Sequence, residues 1–244
     1  MLQAIGAHKT YPGGVHALAG VDLKVDPQET VALVGESGSG KTTLLRLFNR
    51  LVEPTAGEVR IAGRDARDTD PIELRQRTGY VQQEGGLLPH WTVRRNVGLV
   101  PSLLGWDKGR QRTRADELLD TVGLEPARYG ERYPRELSGG ERQRVAFARA
   151  LAADPEVVLL DEPFGALDAL TRLDIQRQFL ELKQRLGKTL LLVTHDLAEA
   201  FLLADRIAVM KDGRILQQGS PDELAASPAA GYVADLLARV RLPS

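Results

Sequence analysis

One short segment has the residue types and spacing needed to hold a chain of phosphates. Gly35–Thr42, GESGSGKT, fits the pattern G-x-x-x-x-G-K-[ST]. Its glycines let the backbone turn tightly, so that N–H groups face an anion at the positive end of the following helix. Lys41 can reach the β- and γ-phosphates, and the Thr42 hydroxyl can bind Mg²⁺. A chance glycine-rich turn is the alternative, but a predicted strand precedes the segment and a predicted helix follows it, as the pattern requires.

The second chemical feature is a pair of carboxylates at the end of an apolar run. Val157–Leu160 is followed directly by Asp161 and Glu162. Ligands of a parallel sheet lie at the carboxyl ends of its strands, so we expect this pair at the same edge as Gly35. Asp161 would hold Mg²⁺, directly or through water, and Glu162 would accept a proton from the attacking water. A strand that ends in solvated acids is the alternative; beside a phosphate loop, the pair favours hydrolysis of a nucleoside triphosphate.

The elements that position these residues are predicted to alternate along an α/β chain. Residues 2–34 have the pattern of strands, and a helix is predicted from Lys41 to about Glu53, with Leu51 on its apolar face. Residues 92–153 are predicted to be mainly helical, with breaks at Pro101, Gly105, Gly123–Pro126 and Tyr133–Pro134. The predicted later segments are strands at 157–160, 189–193, 206–210 and 214–217, helices at 171–186 and 197–204, and two short helices from 221 on. This alternation favours a parallel sheet covered on both faces, with the central helical stretch inserted into it.

The composition is that of a globular chain and excludes several classes of chemistry. Of the 244 residues, 43% are hydrophobic and 27% are charged, and 32 Lys and Arg nearly balance 33 Asp and Glu. No basic surplus favours nucleic acid as a partner. The sequence contains no cysteine, which excludes thiol catalysis and cysteine metal sites. The N-terminal residues lack the pattern of a secretory signal, and no apolar run approaches the ~18 residues of a membrane helix.

The segment Leu137–Gln143, LSGGERQ, distinguishes between families of phosphate-loop proteins. It precedes a helical run that leads to the strand before Asp161, and it resembles the LSGGQ signature of ATP-binding cassette (ABC) ATPases. A serine hydroxyl and glycine amides at a helix start can form a second anion-binding nest. A generic Ser-Gly-Gly turn, a kinase or a GTPase would leave the order of the motifs unexplained. An ABC protein acting on DNA or ribosomes usually has long coiled coils or a second cassette, and neither pattern is present.

The other ABC motifs follow in the family's order. Tyr11 resembles the aromatic residue that stacks on adenine, and Gly165–Asp168 resembles the D-loop. Gln83 resembles the Q-loop glutamine that touches Mg²⁺ and water, although the adjacent Gln82 is an alternative, and His195 resembles the switch histidine that contacts the γ-phosphate. The resemblance implies ATP and Mg²⁺ as cofactors, with Lys41, Gln83, Glu162 and His195 in catalysis and Thr42, Gln83 and Asp161 at the metal. The implied nucleotide-binding residues are Tyr11, Gly35, Glu36, Ser37, Gly38, Ser39, Gly40, Lys41, Thr42, Thr43, Ser138, Gly139, Gly140 and Asp168.

The resemblance also implies a fold and partners. The fold is a single P-loop NTPase ABC cassette with a RecA-like parallel-sheet core and an N-terminal antiparallel β subdomain, at about 1–90 and 154–219. A helical subdomain is inserted at about 91–153, and helices follow at 220–244. ABC cassettes pair head to tail, so Ser138 and Gly140 would contact ATP bound to a second copy of the chain.

A transporter of this family implies further partners. Membrane-spanning permease subunits would hold the chain at the cytoplasmic face, and a solute-binding protein would act outside the cell. The permease would dock near Gln83–Trp91, where glycines and apolar residues share a predicted loop. The alternative is that Leu87, Leu88 and Trp91 belong partly to the core. No nucleic-acid partner is expected.

The amino-acid sequences of several loops resemble those of ATPases from importers of quaternary-amine osmoprotectants, namely glycine betaine, choline and carnitine. The segments that carry this resemblance are Tyr11–Val15, Gly86–Val93, Val100–Trp106 and Arg132–Gly140. Phe164–Asp168 also occurs in importers of sulfonates, taurine and nitrate, which are the alternative cargoes. Many osmoprotectant ATPases continue into paired CBS domains; we expect none here, and therefore no sensing of ionic strength by that route.

Overall fold

The described residues of the chain, 1–83 and 85–238 of a computed structural model, form two compact units. The first comprises Met1–Arg75 and the described residues from Thr189 on, and the second comprises Gln76–Lys188. Glu84, in the predicted docking segment, and residues 239–244, in the predicted C-terminal helices, lie outside the described residues. The strands are β1 (Leu2–Tyr11), β2 (Val15–Val25), β3 (Thr30–Val34), β4 (Ala56–Ile61), β5 (Arg64–Asp65), β6 (Thr78–Val81), β7 (Val157–Asp161), β8 (Thr189–Thr194), β9 (Arg206–Lys211) and β10 (Arg214–Gly219). The helices are α1 (Lys41–Leu47), α2 (Pro71–Gln76), α3 (Val93–Val97), α4 (Leu99–Leu103), α5 (Lys108–Thr121), α6 (Pro126–Tyr129), α7 (Gly139–Leu151), α8 (Ala169–Leu186), α9 (Leu197–Leu203), α10 (Pro221–Ala226) and α11 (Tyr232–Ala238).

The first unit contains an antiparallel region and a mainly parallel region. In the antiparallel region β1 pairs with β2 and β4, and β4 pairs with β5. In the other region β3 lies between β8 and β9, parallel to both, and β10 runs antiparallel to β9. Every residue of β3 is buried, which explains its continuous apolar sequence, since a strand in a covered parallel sheet has no solvent face. This strand delivers the chain directly into the predicted phosphate loop.

The second unit packs helices around the parallel pair β6 and β7. Its core includes Phe147 of α7, Phe164 after β7 and Phe179 of α8, whose ring centroids lie 5.1–5.9 Å apart. Aromatic rings at these separations pack favourably at tilted or edge-on angles. The cluster therefore fixes α7 and α8 around the segment that follows Asp161.

The expected α/β class with antiparallel, parallel and helical regions is confirmed, but two local predictions were wrong. The first helix ends at Leu47, not near Glu53, and Leu51 is 49% exposed. Turns replace the last predicted helical residues, because Arg50 takes a left-handed φ of 51° and the Asn49 side chain accepts a hydrogen bond from the Leu51 amide. A shorter helix leaves Leu51 outside the apolar face that the sequence pattern gave it.

Pro101 does not break the helical region where the sequence predicts a break. It is the third residue of α4, within the first turn. The first N–H groups of a helix have no partner inside the helix, so proline there removes no hydrogen bond.

Across the described residues, none of the helices is long and apolar enough to cross a membrane.

Candidate nucleotide-binding site

The loop between β3 and α1 forms a cradle that side chains would obstruct. Gly38 and Gly40 have left-handed φ angles of 80° and 101°, which glycine adopts without strain. A Cβ atom on Gly40 would collide with the carbonyl oxygen of Ala17, and one on Gly35 would collide with that of Met210. The neighbouring strands β2 and β9 thus hold the loop closely from outside, which explains the need for glycine.

Lys41 is buried inside this loop, with only 5% of its surface exposed. Its Nζ donates hydrogen bonds to the carbonyl oxygens of Gly35 at 2.7 Å and Glu36 at 2.8 Å, and it lies 3.4 Å from the Ser39 hydroxyl. A desolvated ammonium group favours an anion beside it, since charge compensation is stronger away from water. The glycine cradle and this cation therefore fit a phosphate chain.

Two further predicted residues lie near the loop in the first unit. The Tyr11 hydroxyl is 3.4 Å from Thr43 Oγ1, so the predicted adenine-stacking ring stands beside α1. Val34 and Thr194 are register partners of the parallel strands β3 and β8. Gly35 follows β3 and His195 follows β8, so both residues lie at the same edge of the sheet. His195 is exposed there, so its ring is accessible to a ligand.

The acidic pair of the second unit stands at the carboxyl end of β7. Asp161 is 2% exposed and accepts a hydrogen bond from the Tyr80 hydroxyl at 3.2 Å. The Gln83 amide donates to the Glu162 carboxylate, with 3.2 Å between Nε2 and Oε2. This contact favours Gln83 over Gln82 as the Q-loop residue, because it brings Gln83 to the predicted base.

The signature segment begins α7 with a capping box. The Ser138 hydroxyl accepts from the Glu141 amide at 3.2 Å, and the Glu141 carboxylate accepts from the Ser138 amide and the Tyr129 hydroxyl at 2.7 and 2.8 Å. Burial raises the pKa of Glu141, but these hydrogen bonds together outweigh it and lower that pKa below its ordinary value. At Gly140 a Cβ would lie 2.7 Å from the Thr171 methyl carbon, so α7 starts close against α8. Ser138, Gly139 and Gly140 are thus held at one helix terminus, as a second anion-binding nest requires.

The predicted D-loop ends in a second helix cap. The Asp168 side chain accepts a hydrogen bond from the Thr171 amide at 3.1 Å at the start of α8. The hydrogen bonds from the Thr171 side chain and backbone lower the pKa of Asp168. Arg172 donates to the carbonyl oxygens of Phe164 and Leu167 at 3.3 and 2.9 Å, which fixes the rest of the loop.

A family model described as ABC transporter matches residues 18–165. The matched range includes the phosphate loop, Gln83, the signature and the acidic pair. It covers more than half of the chain. The chain belongs to the ABC transporter family.

Similar proteins are named as ATP-binding proteins of osmoprotectant transport. The chain is 47% identical to the choline transport ATP-binding protein OpuBA of Bacillus subtilis (strain 168), over 99% of this chain and 63% of that protein. It is 46% identical to the glycine betaine/carnitine/choline transport ATP-binding protein OpuCA of the same strain, again over 99% and 63%. The chain thus spans less than two thirds of the length of these relatives. Among solved structures, the dimeric post-hydrolysis state of the ATP-binding cassette MJ0796, bound to ADP and Pi, matches with a TM-score of 0.80 and 37% identity, covering 91% of this chain and 99% of that one.

The ABC docking segment predicted at Gln83–Trp91 is partly buried within its own unit. The Leu88 amide donates to Asn96 Oδ1 at 2.8 Å, and Asn96 Nδ2 donates back to the Leu88 carbonyl at 3.1 Å. The Arg95 guanidinium lies 3.9 Å from the centroid of the Trp91 ring. Leu87, Leu88 and Trp91 are half-buried, whereas Gly86, Pro89 and His90 are exposed. The segment therefore combines a fixed backbone with exposed positions.

One residue of this ABC cassette that sequence reasoning missed is Arg149, late in α7. It is 8% exposed, and it donates to the carbonyl oxygens of Gly85 and Gly86 at 2.6 and 2.7 Å. Burial lowers the pKa of its guanidinium. Arg149 thus ties the signature helix to the loop that follows Gln83. The sequence signal for this residue is an arginine inside the otherwise apolar run VAFARAL, where a charge needs a partner.

The metal-binding potential depends on oxygen ligands rather than on a preformed cluster. In the described part of the chain, no group of three or more His, Cys, Asp or Glu side chains could hold a metal ion. The buried Asp161 carboxylate and the Gln83 amide are oxygen ligands of the kind that Mg²⁺ prefers, and this ion usually keeps waters and substrate phosphates as its other ligands. These residues therefore fit a nucleotide-bound Mg²⁺.

Proposed function

We propose that this chain binds and hydrolyses ATP as the nucleotide-binding subunit of an ABC importer for a quaternary-amine osmoprotectant. The observation that carries the proposal is the desolvated Lys41 ammonium in the phosphate loop. At Gly35 and Gly40 this loop lies so close to neighbouring backbone that only glycine fits. Glycine betaine, choline and carnitine are the cargoes that we assign to the importer.

The proposed ATPase divides its work among the residues of the family motifs. Lys41 donates to β- and γ-phosphate oxygens, and the loop amides bind the same phosphates. Glu162 accepts the proton of the attacking water, with its carboxylate oriented by Gln83 at 3.2 Å. His195, at the edge where β3 also ends, contacts the γ-phosphate.

The remaining proposed contacts concern the metal and the base of ATP. Thr42, Gln83 and Asp161 would hold Mg²⁺. When bound, the ion neutralises part of the phosphate charge. Tyr11 would stack on adenine beside α1.

The proposed working unit is a head-to-tail dimer. Ser138, Gly139, Gly140 and Asp168 would face ATP bound to the second copy, so that two copies form two composite sites. The similar MJ0796 cassette, which is dimeric with ADP and Pi bound, supports a dimer as the working unit. ATP that bridges two copies stabilises the closed dimer by mass action. Permease subunits would dock at the exposed part of Gln83–Trp91 and hold the dimer at the cytoplasmic face of the membrane, with a solute-binding protein outside.

The cargo assignment is supported by relatives named for choline and for glycine betaine, carnitine and choline. An uptake experiment tests it. The gene is deleted from its source organism, and the wild-type chain or the Lys41→Ala variant is restored. We expect uptake of radiolabelled glycine betaine, choline or carnitine at high osmolarity to be lost, and to return only with the wild-type chain.

Two outcomes would contradict separate parts of the proposal. If deletion reduces the uptake of taurine or nitrate and leaves the three amines unchanged, the cargo assignment is wrong. If the purified wild-type chain neither binds nor hydrolyses ATP, the ATPase assignment is wrong.

A further inference from the structure

The peptide unit between Gly35 and Glu36 is hydrogen-bonded at both ends. Its carbonyl oxygen, on Gly35, accepts from Lys41 Nζ at 2.7 Å. Its N–H, on Glu36, donates to the Tyr232 hydroxyl at 3.1 Å, although Tyr232 lies 196 residues further along the chain. A peptide unit is planar, so a rotation that breaks one of these bonds also disturbs the other.

The Tyr232 ring is held where the loop is closest to β9. Lys211 Nζ lies 4.7 Å from the centroid of the ring, a cation–π contact. Lys211 ends β9 and follows Met210, whose carbonyl oxygen a Cβ on Gly35 would strike. The end of β9 therefore contacts the phosphate loop directly and also holds the tyrosine that bonds to the loop.

The segment that leads into α11 is also fixed to the first unit. Gln217 of β10 donates from Nε2 to the Ser227 carbonyl at 2.9 Å, and its Oε1 accepts from the Ala229 amide at 2.7 Å. Val233, the residue after Tyr232, is buried. These contacts determine where the Tyr232 hydroxyl lies.

We infer that Tyr232 is a positioning residue for the phosphate loop, an inference that rests on the proposed ATP binding. Its hydroxyl fixes the Gly35–Glu36 peptide, and that peptide carries an oxygen that holds Lys41. A glycine-rich loop loses much conformational freedom when it orders around a ligand. A bond from a separate helix that fixes one peptide in advance reduces this loss. The helix α11 thereby contributes to nucleotide affinity without touching the nucleotide.

The Tyr232→Phe variant of the full chain tests the inference, because it removes the hydroxyl and keeps the ring above Lys211. A net hydrogen bond is typically worth about a fivefold change in an equilibrium constant. We expect ATP affinity, measured by calorimetry, to fall by about threefold to tenfold, with turnover at saturating ATP unchanged. Tyr133→Phe is the matched control, since it removes the hydroxyl of a 38% exposed tyrosine; we expect wild-type affinity from it.

A local measurement tests the bond independently of ATP. In nucleotide-free protein, the Glu36 amide loses its partner in Tyr232→Phe, so we expect it to exchange its hydrogen at least about fivefold faster than in the wild type. The Tyr133→Phe control should leave that rate unchanged.

The possible results separate this inference from the proposed function. Unchanged ATP affinity in Tyr232→Phe would overturn the inference, and so would an equal loss in Tyr133→Phe. A lower Tm without a change in affinity would also overturn it, because Tyr232 would then only anchor α11. If the wild-type chain binds no ATP, the proposed function is wrong. An unchanged exchange rate of the Glu36 amide in Tyr232→Phe would overturn the hydrogen bond between Glu36 and Tyr232, and with it the inference.

Discussion

Glu162 combines an uncommon backbone conformation with a fixed side chain. Its φ is 46°, in the left-handed region that costs a residue with a side chain about 1–3 kcal/mol. Its carbonyl oxygen accepts from the Gly165 amide at 3.2 Å, and its carboxylate accepts from Gln83 at 3.2 Å. Strain of this kind persists where the surroundings over-determine a residue, which occurs often at functional sites. Five other non-glycine residues of the described chain also have a left-handed φ, so at Glu162 it is the added contact with Gln83 that fixes the side chain as the proposed base requires.

Replacing Glu162 with glutamine tests its role as the base. Glu162→Gln keeps the size and the left-handed position but cannot accept a proton. We expect steady-state phosphate release to fall by about 10²–10⁴-fold, while calorimetry finds ATP affinity near the wild-type value. Glu156→Gln is the control, because Glu156 is exposed just before β7 begins. Turnover of Glu162→Gln within about threefold of the wild type would exclude Glu162 as the base, since a general base contributes far more.

At the scale of elements, α7 connects the signature to the loop after Gln83. Its first turn is closed by the capping box of Ser138 and Glu141. Near its end, Arg149 bonds the two glycine carbonyls of the loop, while Arg114 of α5 bonds the terminal carbonyls of Leu151 and Ala152 at 3.3 and 3.2 Å. The two arginines make similar bonds to backbone, but only Arg149 is bonded to the loop.

The pair of arginines gives a matched test of that connection. Lysine keeps the charge but lacks the planar fork that bonds two carbonyls at once. We expect Arg149→Lys to lower the free energy of unfolding by about 1.5–3 kcal/mol, as for lost hydrogen bonds to a charged group, and to lower turnover because the Gln83 loop loosens. Arg114→Lys should cost less than about 1 kcal/mol at its more exposed site and leave turnover unchanged. Urea unfolding and phosphate release measure both; equal effects on turnover would contradict a specific role of Arg149.

The capping box makes the stability of the α7 start depend on pH. The folded pKa of Glu141 is lowered, so its ionised form stabilises the fold above the ordinary glutamate pKa of about 4.3. That contribution is lost as the pH falls through the lower folded value. Glu141→Gln, which restores the signature's usual glutamine, cannot ionise. We therefore expect the difference between the urea midpoints of wild type and variant to be constant from pH 7 to about 5 and to shrink below about 4.3.

A control separates this effect from general acid denaturation. Glu125→Gln changes an exposed glutamate whose side chain makes no cap for α6. We expect the pH-dependent change in the midpoint difference to be larger for Glu141→Gln than for Glu125→Gln, because only Glu141 belongs to a capping box. A pH-independent difference for Glu141→Gln would contradict the role of its ionised carboxylate.

At the scale of the whole molecule, the sequence predicts those structural features that depend on residues close together along the chain. Buried strands, glycine turns and the phosphate loop are local, so β3, β7 and the position of Lys41 follow from the sequence. The preference for Gln83 over Gln82, which stays a prediction, rests on the contact with Glu162, which joins residues 79 positions apart. Arg149 and Tyr232 belong to no motif, and their partners are backbone groups 63 or more positions away. Such contacts depend on tertiary packing, which no local pattern of residues encodes.

The head-to-tail dimer is the prediction that involves more than one copy of the chain. Ser138→Arg places a large cation in the signature, and Lys41→Ala removes the cation of the phosphate loop, so we expect neither variant alone to form a competent composite site. In an equimolar mixture, half of the dimers contain one copy of each and have one site with both wild-type halves. Steady-state phosphate release should then approach about one quarter of the wild-type rate, from the statistics of a two-fold dimer. A mixture no more active than the two variants measured separately would mean that Lys41 and Ser138 do not meet across copies, because sharing between copies is what restores the site.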